Sequence, residues 1–276
     1  MNKQQIKKED IQDAFDMLEL NMLIYNFTKE TPKQLKNISR EELPEKRQEV
    51  LTSILSQSPH KSLEKFIDLY NGLQCAVTIS HAKKRITTIF RGSDSLIDWL
   101  YNIWTIKSHL EKDAYIHTGF KHQLLPALEL LLEINKRLII EYPDYQINVT
   151  GYSLGAAHSC VFSYHLSKIL GDKELKVFTY GSPRVGNKGW KNLYESVKTI
   201  KHIRVVNKYD IVSYIPYFWY YHVGHLLELE NDGYKYEEDY KEGYNFICYS
   251  NPLAHILGRY YEKMKTIIVS FLAEPS

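Results

Sequence analysis

The sequence predicts an α/β protein in which helices flank a central sheet. Three observations carry that expectation. Short β-branched runs alternate along the chain with longer stretches whose apolar residues recur at helical spacing. A Gly-x-Ser-x-Gly motif, at Gly151, Ser153 and Gly155, falls where one such run meets a helical pattern. The 276 residues hold no internal repeat and no low-complexity tract, which suits one compact domain with or without an N-terminal extension.

From Asp10 to Phe27, apolar side chains at Ile11, Phe15, Leu18, Met22 and Phe27 predict an amphipathic helix. The polar stretch Thr31 to Pro59, with Pro32 and Pro44, predicts a short helix between loops, and residues 1–59 are read as a helical extension packed on the catalytic part, 60–276. Ser62 to Leu69 reads as another helix, stopped at Asn71-Gly72. Leu73 to Ser80 and Arg85 to Phe90 read as a hairpin turning at Lys83-Lys84. Phe120, Leu124, Leu128, Leu131, Ile134 and Leu138 line one face of a helix from Gly119 to Glu141, ended by Pro143. A strand at Gln146 to Thr150 and a helix from Leu154 to Leu170 follow, the latter closed by Gly171. Lys176 to Tyr180 and Ile200 to Val206 are strands separated by a helical stretch around Trp190. The Tyr-rich region after Asp210 predicts a hairpin with Glu228 to Tyr240 as its polar turn, and a last helix covers Leu253 to Phe271.

The serine motif carries the chemistry. A strand that turns abruptly into a helix needs glycines around the turn, and the residue at the apex projects out over the sheet edge. A serine hydroxyl is a weak nucleophile by itself, so the reading requires a histidine base and an acid that orients it. The ordinary alternative is a loop serine.

Composition excludes other classes. Formal net charge is +2, with no basic stripe interleaved with aromatics, so nucleic acid is not an expected partner. Cys75, Cys160 and Cys248 lie far apart in apolar surroundings and read as reduced core residues, not as a disulfide framework or a metal site. No metal or organic cofactor is implied. The N-terminus has charge without a following apolar region, and no uncharged apolar run of about 18 residues occurs; the expectation is a cytoplasmic chain with no secretory signal and no transmembrane segment.

Several segments together resemble the class 3 (fungal-type) lipases of the α/β-hydrolase superfamily. They are Thr88 to Leu100, His117 to Phe120, Tyr142 to Gly155, Thr179 to Asn187, Val206 to Val212 and Tyr221 to Gly224, in the family's order within roughly residues 60 to 265. The resemblance implies an α/β-hydrolase fold with a central, mostly parallel sheet flanked by helices. It also implies the chain order nucleophile, acid, base. The family's serine block usually reads Gly-His-Ser-Leu-Gly-Gly, so Tyr152 and Ala156 are departures; Tyr152 is expected to point away from the nucleophile and to affect packing only.

On that order Asp210, after the strand ending at Val206, is the expected acid, with an Asx-turn as the plain alternative; Asp232 and Asp239 lie in a charged turn. His222, His225 and His255 all follow it. The resemblance favours His255, in the loop entering the last helix, although Ala254 replaces the Asp that usually precedes this histidine. For the oxyanion it implies the backbone N–H of Leu154 and the N–H and hydroxyl of Ser93 after Phe90-Arg-Gly, where an N-cap role is equally natural.

The apolar stretch Asp94 to Leu110 reads as a lid, an acyl-pocket wall or a core helix, with a fixed wall preferred. Tyr214 to Tyr221 reads as a packed loop or a lipid-facing surface. The reading that follows is a serine ester hydrolase acting on acyl-glycerol esters, with peripheral contact at lipid surfaces. A phospholipase A1 or soluble carboxylesterase is the alternative within the same chemistry, and an inactive lipid- or protein-binding member the alternative outside it.

Overall fold

The computed structural model describes residues 6–34, 43–56, 62–69, 71–93, 106–231, 233–238 and 251–273. Among these, an eight-stranded sheet runs in the order β1-β2-β3-β6-β7-β8-β9-β10. Its strands are β1 (Ser62–Asp68), β2 (Gln74–Ser80), β3 (Arg85–Phe90), β6 (Gln146–Tyr152), β7 (Leu175–Tyr180), β8 (Ile200–Asn207), β9 (His225–Glu230) and β10 (Gly233–Glu237). The five strands from β3 to β9 are mutually parallel, and β1-β2-β3 and β9-β10 are antiparallel ribbons at the two edges. A separate hairpin joins β4 (Lys107–Glu111) and β5 (Ala114–His117).

Helices cover both faces, as a parallel sheet requires. On one face α3 (Thr118–Glu141), α4 (Leu154–Leu170) and α5 (Lys188–Glu195) enclose a core of Phe90, Phe120, Leu131, Val149, Phe162 and Trp190. On the other, α1 (Lys8–Gln34), α2 (Leu43–Ser56) and α6 (Leu257–Ala273) enclose Leu18, Ile24, Leu51, Ile89, Phe178 and Tyr260. Strands β6 and β7 are buried on both faces: Ile147, Val149, Leu175 and Val177 enter one core, while the alternating Asn148, Thr150 and Lys176 are buried polar residues. Polar fastenings hold α1 to this sheet. Asn21 Nδ2 donates to Thr150 Oγ1 at 2.7 Å, and Lys176 Nζ reaches Asp13 Oδ2 at 2.8 Å.

Three expectations change. Ser62 to Leu69 is a strand and not a helix: Phe66 enters one core and Ile67 the other, and a bulge between Leu63 and Lys65 breaks the period-2 pattern. Residues 228–230 and 233–237 are strand and not a polar turn, because β9 runs to Glu230 and β10 starts at Gly233, with Tyr234 and Tyr236 packed on the core from an otherwise solvated edge. The last helix begins late: Pro252–His255 forms a short 3-10 turn, Ile256 is extended, and α6 starts at Leu257. Residues 94–105, and with them most of the lid-or-wall stretch, lie outside the described residues, as does Cys248. Cys75 and Cys160 are buried and free. No described helix is long and apolar enough to cross a membrane.

Candidate active site

Strand β6 ends in a forced turn. Ser153 has φ 57 and ψ −123, a left-handed conformation that costs a non-glycine residue about 1–3 kcal/mol and persists only where surroundings impose it. The imposing contacts are close backbone approaches: a Cβ at Gly151 would lie 2.3 Å from the Gly155 oxygen, and one at Gly155 would lie 2.1 Å from the Phe90 oxygen. The first turn of α4 is thereby pressed against β3 and β6. Ser153 N–H donates to the Tyr180 carbonyl at 2.9 Å, which anchors the turn to β7.

The acid comes from the next strand but one. After β8, Asp210 caps a 3-10 turn (Ile211–Tyr214), its Oδ1 accepting from Val212 N–H at 2.9 Å. The Asx-type cap and a contact with the base therefore coexist on one carboxylate. The His255 turn is tied to this loop: Asn251 N–H donates to the Tyr209 carbonyl at 2.8 Å, and Asn207 Nδ2 donates to the Ala254 carbonyl at 2.9 Å.

These loops bring three expected residues together. His255 Nδ1 lies 2.9 and 2.8 Å from the two Asp210 oxygens, and Nε2 lies 2.8 Å from Ser153 Oγ. With the carboxylate on Nδ1, the neutral ring carries its proton there, so Nε2 accepts from the serine hydroxyl. All three side chains are buried. Gly181, at φ +55, passes close enough that an added Cβ would meet His255 Cε1 at 2.8 Å and Asp210 Oδ2 at 2.9 Å.

The other candidates sit elsewhere or alongside. His222 Nε2 meets the Ser213 carbonyl at 2.7 Å, and His225 Nδ1 meets the Glu238 carbonyl at 2.9 Å. Burial first, then Arg204 and Arg184, hold the His222 ring well below its ordinary pKa, so it is a neutral clamp on the turn after Asp210. Leu154 opens α4 directly after Ser153. The end of β3 passes the same point: a Cβ on Gly92 would lie 3.2 Å from Ser153 Cβ, and Ser93 follows, half-buried. In the 214–221 loop Tyr220 is buried while Phe218 and Trp219 are 62% and 76% exposed. Arg184 holds this loop by donating to the carbonyls of Tyr214 and Tyr217 at 3.1 and 3.0 Å.

Sequence reasoning missed two tyrosines. Tyr260 of α6 donates from its hydroxyl to Asp210 Oδ2 at 2.5 Å. Tyr152 does not merely tune packing, since its ring stacks on His255 with centroids 4.9 Å apart. The stacking depends on where His255 folds back over β6, which local sequence does not encode. The Tyr260-Tyr261 pair after His255 was the available signal for the other.

A parallel sheet crossed by a strained serine turn, with histidine and aspartate delivered from later loops, defines an α/β-hydrolase fold. The same architecture appears in the crystal structure of a lipase from Rhizopus microsporus var. chinensis, with a TM-score of 0.73 and 22% identity over 91% of this chain and 87% of that one. The triacylglyceride lipase of Rhizomucor miehei gives a TM-score of 0.75 at 20% identity, over 91% and 95% of the two chains. Residues 87–219, just under half of this chain, match the model for lipase (class 3). The chain is 31% identical over 163 residues to a lipase of Rhizopus niveus, covering 56% of this chain and 41% of that protein. It is 32% identical over 174 residues to phospholipase A1-IIalpha of Arabidopsis thaliana, covering 58% and 38%. The chain thus spans about two fifths of the length of the curated relatives it matches.

Proposed function

We propose that this chain is a serine ester hydrolase of acyl-glycerol lipids. The observation that carries the reading is the continuous hydrogen-bonded line from Asp210 through His255 to Ser153 Oγ, buried from end to end. On this mechanism His255 Nε2 takes the hydroxyl proton as Ser153 Oγ attacks the ester carbonyl, and Asp210 stabilises the imidazolium that forms. The negative charge develops on the carbonyl oxygen beside the N-terminus of α4, where the Leu154 N–H and Ser93 are the donors assigned to it. One such donor is typically worth about 3 kcal/mol of barrier. His255 then gives its proton to the departing alcohol. Water attacks the acyl-enzyme, again losing its proton to His255, and the fatty acid leaves as Ser153 recovers its own.

Similarity to lipases supports triacylglycerol or a related acyl-glycerol as substrate, and similarity to a phospholipase A1 supports a second reading in which a phospholipid sn-1 ester is cut. Fluorophosphonate labelling of wild type and Ser153→Ala tests the chemistry, since only a competent serine is phosphonylated. Fatty-acid release from tributyrin, dioleoylphosphatidylcholine and a soluble butyrate ester then separates lipase, phospholipase and esterase. A folded wild-type protein that takes up no label sinks the proposal and leaves the binding-module reading.

A further inference from the structure

Tyr152 stands immediately before the nucleophile, yet its side chain is committed to the base. Its ring lies face to face with the His255 imidazole, with centroids 4.9 Å apart and planes 24° from parallel. Its hydroxyl donates to the His255 carbonyl. That bond meets the main chain immediately before Ile256, the single residue between the 3-10 turn and α6. The Ile256 side chain is 49% exposed, so its own burial contributes little to fixing the junction. Burial first, then the Asp210 charge, raises the Tyr152 pKa, so the phenol keeps the proton it donates. The ring is itself held: Tyr25 of α1 meets it edge-on at 6.0 Å and Tyr260 of α6 at 6.3 Å.

We propose that Tyr152 is a positioning residue for His255, through two separable parts. The hydroxyl fixes the main chain that carries the imidazole. The ring presents its π face to the imidazolium that forms when Ser153 gives up its proton, an electrostatic attraction that the neutral ring lacks. The proposal rests on the reading of Ser153, His255 and Asp210 as a catalytic triad.

The groups around this imidazole are few enough for a pH profile to be read. Asp210, from the loop after β8, faces Nδ1, Ser153 faces Nε2, and Tyr152 of β6 covers one face. Tyr260 stands behind Asp210, and Tyr25, with the Arg91 guanidinium 5.2 Å over its ring, stands behind Tyr152.

The test compares wild type, Tyr152→Phe and Tyr152→Leu in the pH dependence of kcat/KM for a soluble p-nitrophenyl ester, with fluorophosphonate labelling and a melting curve for each. Tyr152→Phe keeps the ring and loses the hydroxyl. Its kcat is expected to fall about tenfold, the worth of roughly one hydrogen bond, with KM little changed and the acid limb in place. Tyr152→Leu loses both parts. Its kcat falls further, and the acid limb moves down by about half a pH unit, because an imidazolium without its π contact releases its proton more readily. An unmoved acid limb in Tyr152→Leu together with unchanged kcat in Tyr152→Phe overturns the proposal. Should Tyr152→Leu not fold, Tyr152→Phe decides alone, and wild-type kcat in the folded variant overturns it. Wild type that neither labels nor turns over overturns the triad reading itself, and the role of Tyr152 with it. Active wild type beside unaffected variants overturns the role of Tyr152 only.

Discussion

The Tyr260 hydroxyl and the His255 imidazole share one carboxylate oxygen. Tyr260 donates to Asp210 Oδ2 at 2.5 Å, and His255 Nδ1 lies 2.8 Å from the same atom. Val212 N–H takes the other oxygen at 2.9 Å, so backbone, phenol and imidazole together fix the plane of a fully buried carboxylate. Burial first, then the Asp210 charge, pushes the Tyr260 phenol well above its ordinary pKa, so it donates throughout the working range of pH.

Tyr260→Phe therefore removes a donor from a buried charge. Hydrogen bonds to charged groups are worth about 1.5–3 kcal/mol, so the melting temperature should drop by several degrees. The proposed mechanism adds a loss in kcat, smaller than that of Asp210→Asn, since the aspartate still holds Nδ1. A melting temperature equal to wild type would mean that the short contact contributes nothing.

Ser153→Ala and His255→Ala should each lose about as much ester turnover as the double variant, on the order of 10⁴-fold or more, because groups that act as one unit are not additive. Multiplicative losses in the double variant, measured with one soluble ester, would show that histidine and serine work independently.

Gly181→Ala tests how tightly the pair is enclosed. Its Cβ would sit 2.9 Å from His255 Nδ1 and Asp210 Oδ2, at φ +55. A side chain at this φ, pressed against two buried groups, carries strain of about 1–3 kcal/mol. The variant is expected to melt earlier and to lose most activity. Full activity would show that the loop 181–186 moves freely.

Much of this was readable beforehand, for a physical reason. The strands β6, β7 and β8 and the helices α3 and α4 are written in local patterns, and the strained serine turn has a fixed glycine signature around Ser153. What failed was whatever depends on contacts remote in sequence. The strand at Ser62–Asp68 sends adjacent Phe66 and Ile67 into different cores, so its pattern imitates a helix. The hairpin of Lys107–Glu111 and Ala114–His117 went unseen because only two of its strand residues, Ala114 and Ile116, pair burial with apolar chemistry. Tyr152 was misjudged because a strand residue's partner here comes from 103 positions later.

Three buried histidines set the acid limit of stability. Burial lowers His158 and His202 to about 3, and burial, then Arg204 and Arg184, takes His222 well below its ordinary value. The folded state thus refuses protons that the unfolded chain accepts below about pH 6.5. Stability from this source is complete above pH 6.5 and falls as pH drops from there towards 3, by about 1.4 kcal/mol per unit for each histidine. His202 and His222 are hydrogen-bonded, to Thr179 at 2.8 Å and to the Ser213 carbonyl at 2.7 Å. His158 has neither nitrogen paired and lies against the rings of Phe90 and Phe120. His158→Leu should therefore be neutral or stabilising at pH 7.5, and unfolding at pH 5 should take up about one proton fewer than in wild type. Denaturant midpoints measured from pH 7.5 to pH 4.5 read both effects. An advantage over wild type that fails to widen as pH falls would mean that His158 is protonated inside the fold.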